Sequence, residues 1–379
     1  MGTGGIVKIL TRFLQNSSIY FETKPEGEYY ALLLSYVTKS EDLFVSLTKI
    51  KARIAGTGMY VPPKVVSNFD LEKIMDTTDE WIRQRSGIET RHHVEGQGTA
   101  DLAYEATLKA LADAKCEAKD LDLIILATLS ADHMFPGSSA LLQAKLGLET
   151  TPSMDLRAQC SGFLYSLNVA KAFIESGVYK RILVVGSETH SPVLDFTTRG
   201  RDVAVLFGDG AGAVVVEAAD DKSSSSVGNI IIHSQGQFAD RLWIERPGTQ
   251  GGTWLTETHL AEGKQYPYME GRYVFKHAIE RLQEVVKEIL EKENLKLDDI
   301  DHFLFHQANI RINEKVAELM KIPLEKCPSN IQKYGNCSAA SIPMLLDETV
   351  RSGRVKRGDK LLLAAFGAGF TWAAGVVQF

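Results

Sequence analysis

The chain repeats itself. "DLDLIILA" at 120–127 is echoed by "DIDHFLFH" at 299–306, each after an amphipathic helical stretch. Cys160 starts a helical run that ends at Ser176–Gly177, followed by a basic pair and an apolar strand; Asn336 starts one that ends at Ser352–Gly353, again followed by basic residues and a strand. "FGDGAGAVVV" (207–216) has its counterpart in "FGAGFTWAAGVV" (366–377). Three matched segments in one order mark a duplicated α/β unit, a stronger constraint on the fold than any local propensity. Superposing the repeats pairs Asn336 with Cys160 and His306 with Ala127. Two halves packed about a pseudo-dyad bring strand ends and helix starts to the centre, where α/β sheets bind ligands.

Within each half the pieces alternate. "RIAGTGMYVP" reads as a strand, "SNFDLEKIM" opens a helix with Ser67 or Asn68 as N-cap, and "LDLIILATLS" and "KRILVVGSE" are short apolar runs typical of sheets covered on both faces. The expected division is an N-terminal extension of unknown role at 1–50, a first half at 51–219 and a second at 220–379. The extension offers no recognisable catalytic setting, and "KARIAGTG" already supplies the first core strand. A chain starting near Leu47 is therefore expected to stay soluble, dimeric and active.

Bulk chemistry narrows the function. A formal net charge of -6 argues against a nucleic-acid protein. No apolar run approaches the roughly 18 residues that span a bilayer, so no membrane is expected. Nor is there an h-region with a small-residue cleavage site. Cys116, Cys160, Cys327 and Cys337 show neither metal-ligand spacing nor a disulfide framework, so reduced thiols in a cytoplasmic protein, with no metal, are expected.

Three residues fall at strand ends or helix starts: Cys160 in "RAQCSGFLYSL", His306 in "FHQANIRI" and Asn336 in "YGNCSAASIP". Singly they read as a core thiol, a satisfied histidine and a helix cap. At related positions of a duplicated fold they make a nucleophile with two polar partners. A helix N-terminus favours anions and lowers a cysteine pKa below its usual value of about 8.5, so Cys160 is expected to be activated. The glycines of "FGDGAGA" lack the order of a phosphate loop and are better explained by close backbone packing.

"QCSGFLYSL", "HQANIRI", "YGNCSAASIP", "FGDGAGAVVV", "FGAGFTWAAGVVQF" and "NFDLEKIMDTTDEWIRQRSGI" resemble the motifs of β-ketoacyl-acyl carrier protein synthase III, in order from about residue 52 to the C-terminus. The resemblance implies an α/β, thiolase-like fold of duplicated halves in a layered αβαβα arrangement. It implies an acyltransferase that condenses an acyl-CoA primer with malonyl-acyl carrier protein, with loss of carbon dioxide, to begin fatty acid synthesis. No cofactor beyond these substrates is implied. Cys160 would carry the acyl group, His306 and Asn336 would hold the malonyl thioester carbonyl, and the backbone N–H groups of Cys160 and Ala368 would face the oxyanion. The family commonly has a glycine at the Ala368 position; alanine keeps the N–H.

The resemblance also implies an access channel. Trp81 and an arginine, Arg199 or Arg201, would sandwich the adenine of CoA, with Thr77, Arg85, Asn309 and Phe275 along the nucleotide arm. Lys276 and Arg311 would meet the acidic carrier protein, and Phe135 would close the acyl pocket of the partner subunit in a homodimer. Three other readings compete: a papain-like Cys–His–Asn protease, a non-catalytic scaffold, and a relative using medium-chain acyl-CoA in a shunt or secondary-metabolite pathway. The internal repeat disfavours the first and the complete nucleophilic set the second. The third draws on the arginine spacing of "TTRGRD" and on a long 244–267 segment that could cap the channel mouth or widen the acyl groove.

Overall fold

Alternating apolar runs fold into two sheets. The structure, a computed structural model, describes residues 50–219 and 223–379; the expected extension before residue 50 lies outside the described residues. In chain order the strands of the first half are β1 (Lys51–Tyr60), β2 (Lys64–Ser67), β3 (Thr90–His93), β4 (Leu123–Ala127), β5 (Ser153–Leu156), β6 (Arg181–Glu188) and β7 (Gly210–Ala219). Those of the second are β8 (Ser226–Ser234), β9 (Leu242–Trp243), β10 (Tyr268–Met269), β11 (His302–Phe305), β12 (Lys360–Gly367) and β13 (Thr371–Gln378). The helices that frame the site are α1 (Asp79–Ser86), α2 (Thr99–Ala114), α3 (Gly162–Glu175), α4 (Gly271–Glu293), α5 (Ile310–Met320) and α6 (Ser341–Arg351).

The first large sheet has the order β1-β7-β6-β4-β5 and the second β11-β12-β13-β8. In each, a parallel pair (β4 with β6, β11 with β12) is followed by antiparallel neighbours. Both faces of both sheets are covered. Ile125 and Val184 face Leu304, Leu361 and Leu363 across a middle layer that holds α3 and α6. Their neighbours Ile124, Leu126 and Leu183 pack outward on α2, while Phe303, Phe305 and Leu362 pack outward on α4 and α5. Burying each such side chain contributes about 1.5–3 kcal/mol, and period-2 burial on both faces explains why these strands read as unbroken apolar runs. The layers run helix, sheet, helix, sheet, helix.

Equivalent residues recur at one constant spacing. Lys115 and Asn294 end equivalent helices in the left-handed conformation, at φ 54° and 53°. Asp122 Oδ2 accepts from the Arg181 amide at 2.9 Å, and Asp301 Oδ2 from the Lys360 amide at 2.8 Å. Gln159 and Ser338 both sit at φ 45° before α3 and α6. This spacing keeps His306 opposite Ala127 but pairs Cys160 with Ala339, correcting the pairing with Asn336. The reason lies in the helices: α3 has 14 residues and α6 only 11, so aligning their ends misplaces their starts by nearly a turn. The packing demand on the glycine-rich strand is direct, since a Cβ on Gly212 would lie 2.5 Å from the Met344 amide nitrogen in α6. Ser67 caps the Asn68–Glu72 helix through a capping box with Asp70.

Candidate active site

Cys160 stands in a 3-10 turn, Gln159–Ser161, ahead of α3. Only 8% of it is exposed. The end of β12 approaches so closely that a Cβ on Gly367 would lie 2.7 Å from Cys160 Cβ. That approach brings the Ala368 backbone N–H onto the thiol, beside the N–H of Cys160 itself, and the Ser338 hydroxyl donates to the sulfur at 3.4 Å. Ala368 lies outside the left-handed region; the strained φ of 131° falls on Gly369. Burial nevertheless pushes the thiol up to about 11, and the nearby Glu188 carboxylate adds to the rise. The expected activation by the helix start is thus overturned for the resting site, because desolvation outweighs the donors.

Glu188, at the end of β6, is sealed from solvent and surrounded by donors: Thr128 Oγ1 at 3.0 Å, the amides of Leu129 and Ser130 at 3.1 and 3.2 Å, and the Ala339 amide at 3.4 Å. Burial pushes its carboxyl up to about 7 despite them.

His306 follows β11 and extends its ladder, donating its backbone N–H to Ala364 O at 2.9 Å. Its Nδ1 lies 2.6 Å from Ser341 Oγ, which itself accepts the Gln307 amide at 3.3 Å. With the serine hydrogen directed at Nδ1, the ring proton stands on Nε2. Nε2 is buried with no partner among the described residues, and burial pulls the imidazole down to about 3, so it is a neutral donor. Asn336 is pinned on both sides of its backbone, to Leu206 O at 2.8 Å and by the Gly208 amide at 3.1 Å. Its Oδ1 accepts the Ser338 amide at 2.8 Å, leaving its NH2 end for the cavity it lines.

Cys160, His306 and Asn336 line one cavity of about 730 Å3, its open mouth included, with walls that include Phe207, Leu242, Met269 and Phe275. No residue of 244–267 lines it; the flanking Leu242 and Met269 do. Among the described residues no His, Cys, Asp or Glu group is arranged to hold a metal ion, and no helix is long and apolar enough to cross a membrane.

Trp81 on α1 is flanked by two guanidinium groups, Arg85 at 4.5 Å and Arg201 at 4.7 Å from the ring centre. Arg199 is turned away: its Nε holds the buried Asp195 carboxylate at 2.6 Å. Asn309 caps α5, accepting the Arg311 amide at 3.0 Å and donating to Arg85 O at 2.8 Å, so it joins α5 to α1. Thr77 Oγ1, four residues before Trp81, is buried with no partner among the described residues. Arg311 lies 5.7 Å over the Phe275 ring, and Lys276 is exposed, 3.8 Å from Glu280. Phe135 is 86% exposed and lines no part of this chain's cavity. Ser338, Ser341, Glu188 and Gly367 carry no site signal in the sequence alone. The serines of "NCSAAS" hint at one, yet nothing local separates a serine facing a thiol from one that begins a helix.

Two family profiles match the chain: 3-oxoacyl-[acyl-carrier-protein] synthase III over residues 154–236 and its C-terminal part over residues 290–379. The chain is 45% identical over 335 residues to the β-ketoacyl-[acyl-carrier-protein] synthase III of Xanthomonas campestris, covering 87% of this chain and 99% of that one. It is 41% identical over 332 residues to the enzyme of that name from Koribacter versatilis, covering 87% and 98%. Among solved structures, 3-oxoacyl-[acyl-carrier-protein] synthase III from Aquifex aeolicus superposes with a TM-score of 0.79 at 41% identity, covering 86% of this chain and 100% of that one. The synthase III of Thermus thermophilus gives 0.79 at 38% identity, covering 86% and 99%.

Proposed function

The chain belongs to the 3-oxoacyl-[acyl-carrier-protein] synthase III family, and from that membership we propose how its own residues divide the reaction. The reaction is a decarboxylative condensation of an acyl-CoA primer with malonyl-acyl carrier protein, and it initiates fatty acid synthesis. The observation that carries the division is that Cys160, a neutral His306 with an unpartnered Nε2, and the NH2 end of Asn336 line one cavity.

In the first half-reaction the Cys160 sulfur attacks the primer carbonyl, the backbone N–H groups of Cys160 and Ala368 hold the oxyanion, and CoA leaves as its thiol with the proton Cys160 gives up. In the second, His306 Nε2–H and Asn336 Nδ2 donate to the malonyl thioester oxygen. Charge gathers there as the carbon–carboxylate bond breaks and carbon dioxide departs, which is where preorganised donors lower a barrier most. The resulting enolate carbon attacks the Cys160 thioester, and the sulfur leaves with its bonding electrons to give a 3-oxoacyl chain on the carrier.

Trp81 with Arg201 forms the adenine clamp, Arg85, Thr77, Asn309 and Phe275 border the CoA arm, and Arg311 and Lys276 meet the carrier protein. A second copy of this chain covers Phe135 and the adjoining exposed Met134 in a homodimer. Acetyl-CoA labelled in its acyl group tests the assignment. Label is expected on Cys160 and lost in Cys160→Ser, whereas label on Cys337 or Cys116 would sink it. The same assay with butyryl-, hexanoyl- and octanoyl-CoA reads the primer range, and sedimentation reads the dimer.

A further inference from the structure

We propose that the hydroxyl of Ser338 is a further catalytic group, which donates a hydrogen bond to the Cys160 sulfur and holds the thiolate as it attacks and as it leaves. The proposal rests on the reading of Cys160 as the nucleophile. Ser338 Oγ lies 3.4 Å from Cys160 Sγ, and both residues are buried.

The turn that carries this hydroxyl is held against its own preference. Ser338 sits at φ 45°, a conformation that favours glycine. Two bonds fix it there: its N–H donates to Asn336 Oδ1 at 2.8 Å, and the next amide, Ala339 N–H, donates to Glu188 at 3.4 Å. The repeat sharpens the point. Gln159, the counterpart of Ser338 at the same φ, immediately precedes the nucleophile, so the donor comes from the half that lacks one.

Counting donors shows why the hydroxyl matters. In the reaction above, the N–H groups of Cys160 and Ala368 are taken by the acyl oxyanion, and His306 and Asn336 by the malonyl carbonyl. The sulfur needs a partner twice: before it bonds to the primer carbonyl carbon, and again when that carbon–sulfur bond breaks and the electron pair returns to it. Of the titratable groups around it, Glu188 disfavours the thiolate and His306 is neutral; Cys337 and His190 are also buried and uncharged. Once the two backbone N–H groups that also reach the thiol turn to the acyl oxyanion, Ser338 is the donor that stays with the sulfur.

Ser338→Ala removes the hydroxyl and keeps the backbone N–H that orients Asn336. Ser338→Gly does the same while relieving the backbone, so a purely structural role for the serine makes glycine harmless. The readout is alkylation of Cys160 by iodoacetamide against pH, followed by peptide mass, together with the rate of acyl loading from acetyl-CoA. Both variants are expected to move the alkylation midpoint to higher pH by about one unit and to slow loading about tenfold at pH 8, since reactivity follows the thiolate fraction. A midpoint at or below the wild-type value in the glycine variant would overturn the proposal. Failure of the nucleophile assignment is seen separately, as acyl label absent from Cys160 in the unaltered enzyme.

Discussion

Ser341 Oγ sits 2.6 Å from His306 Nδ1 and is itself held by the Gln307 amide at 3.3 Å. A hydroxyl so placed sets the tautomer of the imidazole, and with it the direction in which the ring donates. Ser341→Ala is expected to slow release of carbon dioxide from malonyl-acyl carrier protein about tenfold while Cys160 still takes up acyl label. His306→Ala, which deletes the donor outright, should cost about a hundred- to a thousandfold in the same assay. A Ser341→Ala enzyme that decarboxylates at the wild-type rate would refute the positioning role.

The two arginines of "TTRGRD" should separate by phenotype. Arg201 stacks on Trp81, so Arg201→Ala is expected to raise the KM for acyl-CoA about five- to thirtyfold with little change in kcat, the worth of one cation–π contact of roughly 1–2 kcal/mol. Arg199 serves Asp195, whose side chain is only 5% exposed. Arg199→Ala leaves that carboxylate without its cation and should cost about 1–3 kcal/mol of stability, read by urea denaturation, with CoA affinity nearly intact. Steady-state kinetics and denaturation on the pair check both halves.

Stability should fall toward acid. Burial depresses His93 to about 4, and His190 and His306 to about 3, against an ordinary 6.5. Below pH 6.5 the unfolded chain therefore takes up protons that the folded chain refuses, and unfolding gains. Glu188 acts oppositely: its folded value of about 7 exceeds the ordinary 4.5, so between these values the folded chain holds the extra proton and lowering the pH favours it. Asp209, also raised by burial, acts with Glu188, and the three histidines outweigh the two carboxyls. The urea midpoint is expected to drop between pH 7 and pH 5, less steeply in His190→Phe and more steeply in Glu188→Gln.

Gly367→Ala should silence the enzyme without unfolding it. The added methyl carbon would begin 2.7 Å from Cys160 Cβ and 2.9 Å from its amide nitrogen, so the nucleophile turn has to move off the Ala368 N–H. A displacement near 1 Å at a reacting centre costs on the order of a hundredfold in rate. Acyl-loading rate and far-ultraviolet circular dichroism distinguish a displaced site from a lost fold.

Much of this architecture is legible in the order of residues. The echo of "DLDLIILA" in "DIDHFLFH", with aspartates at equivalent capping positions, announces two halves, and a doubly covered strand has to be apolar on both faces. Cys160, His306 and Asn336 stand out because each ends a strand pattern or begins a helix, and the fold gathers all three at one cavity. What escapes a linear reading depends on distances through space. The length of α6 shifts Ala339, not Asn336, opposite Cys160; a buried Asp195 withdraws Arg199 from Trp81 and leaves Arg201 there; and Glu188 reaches Ala339 across the join between the halves. The thiol shows the same division. Its place at a helix start follows from local sequence, but its high pKa is a desolvation effect, and desolvation is set by everything packed around Cys160.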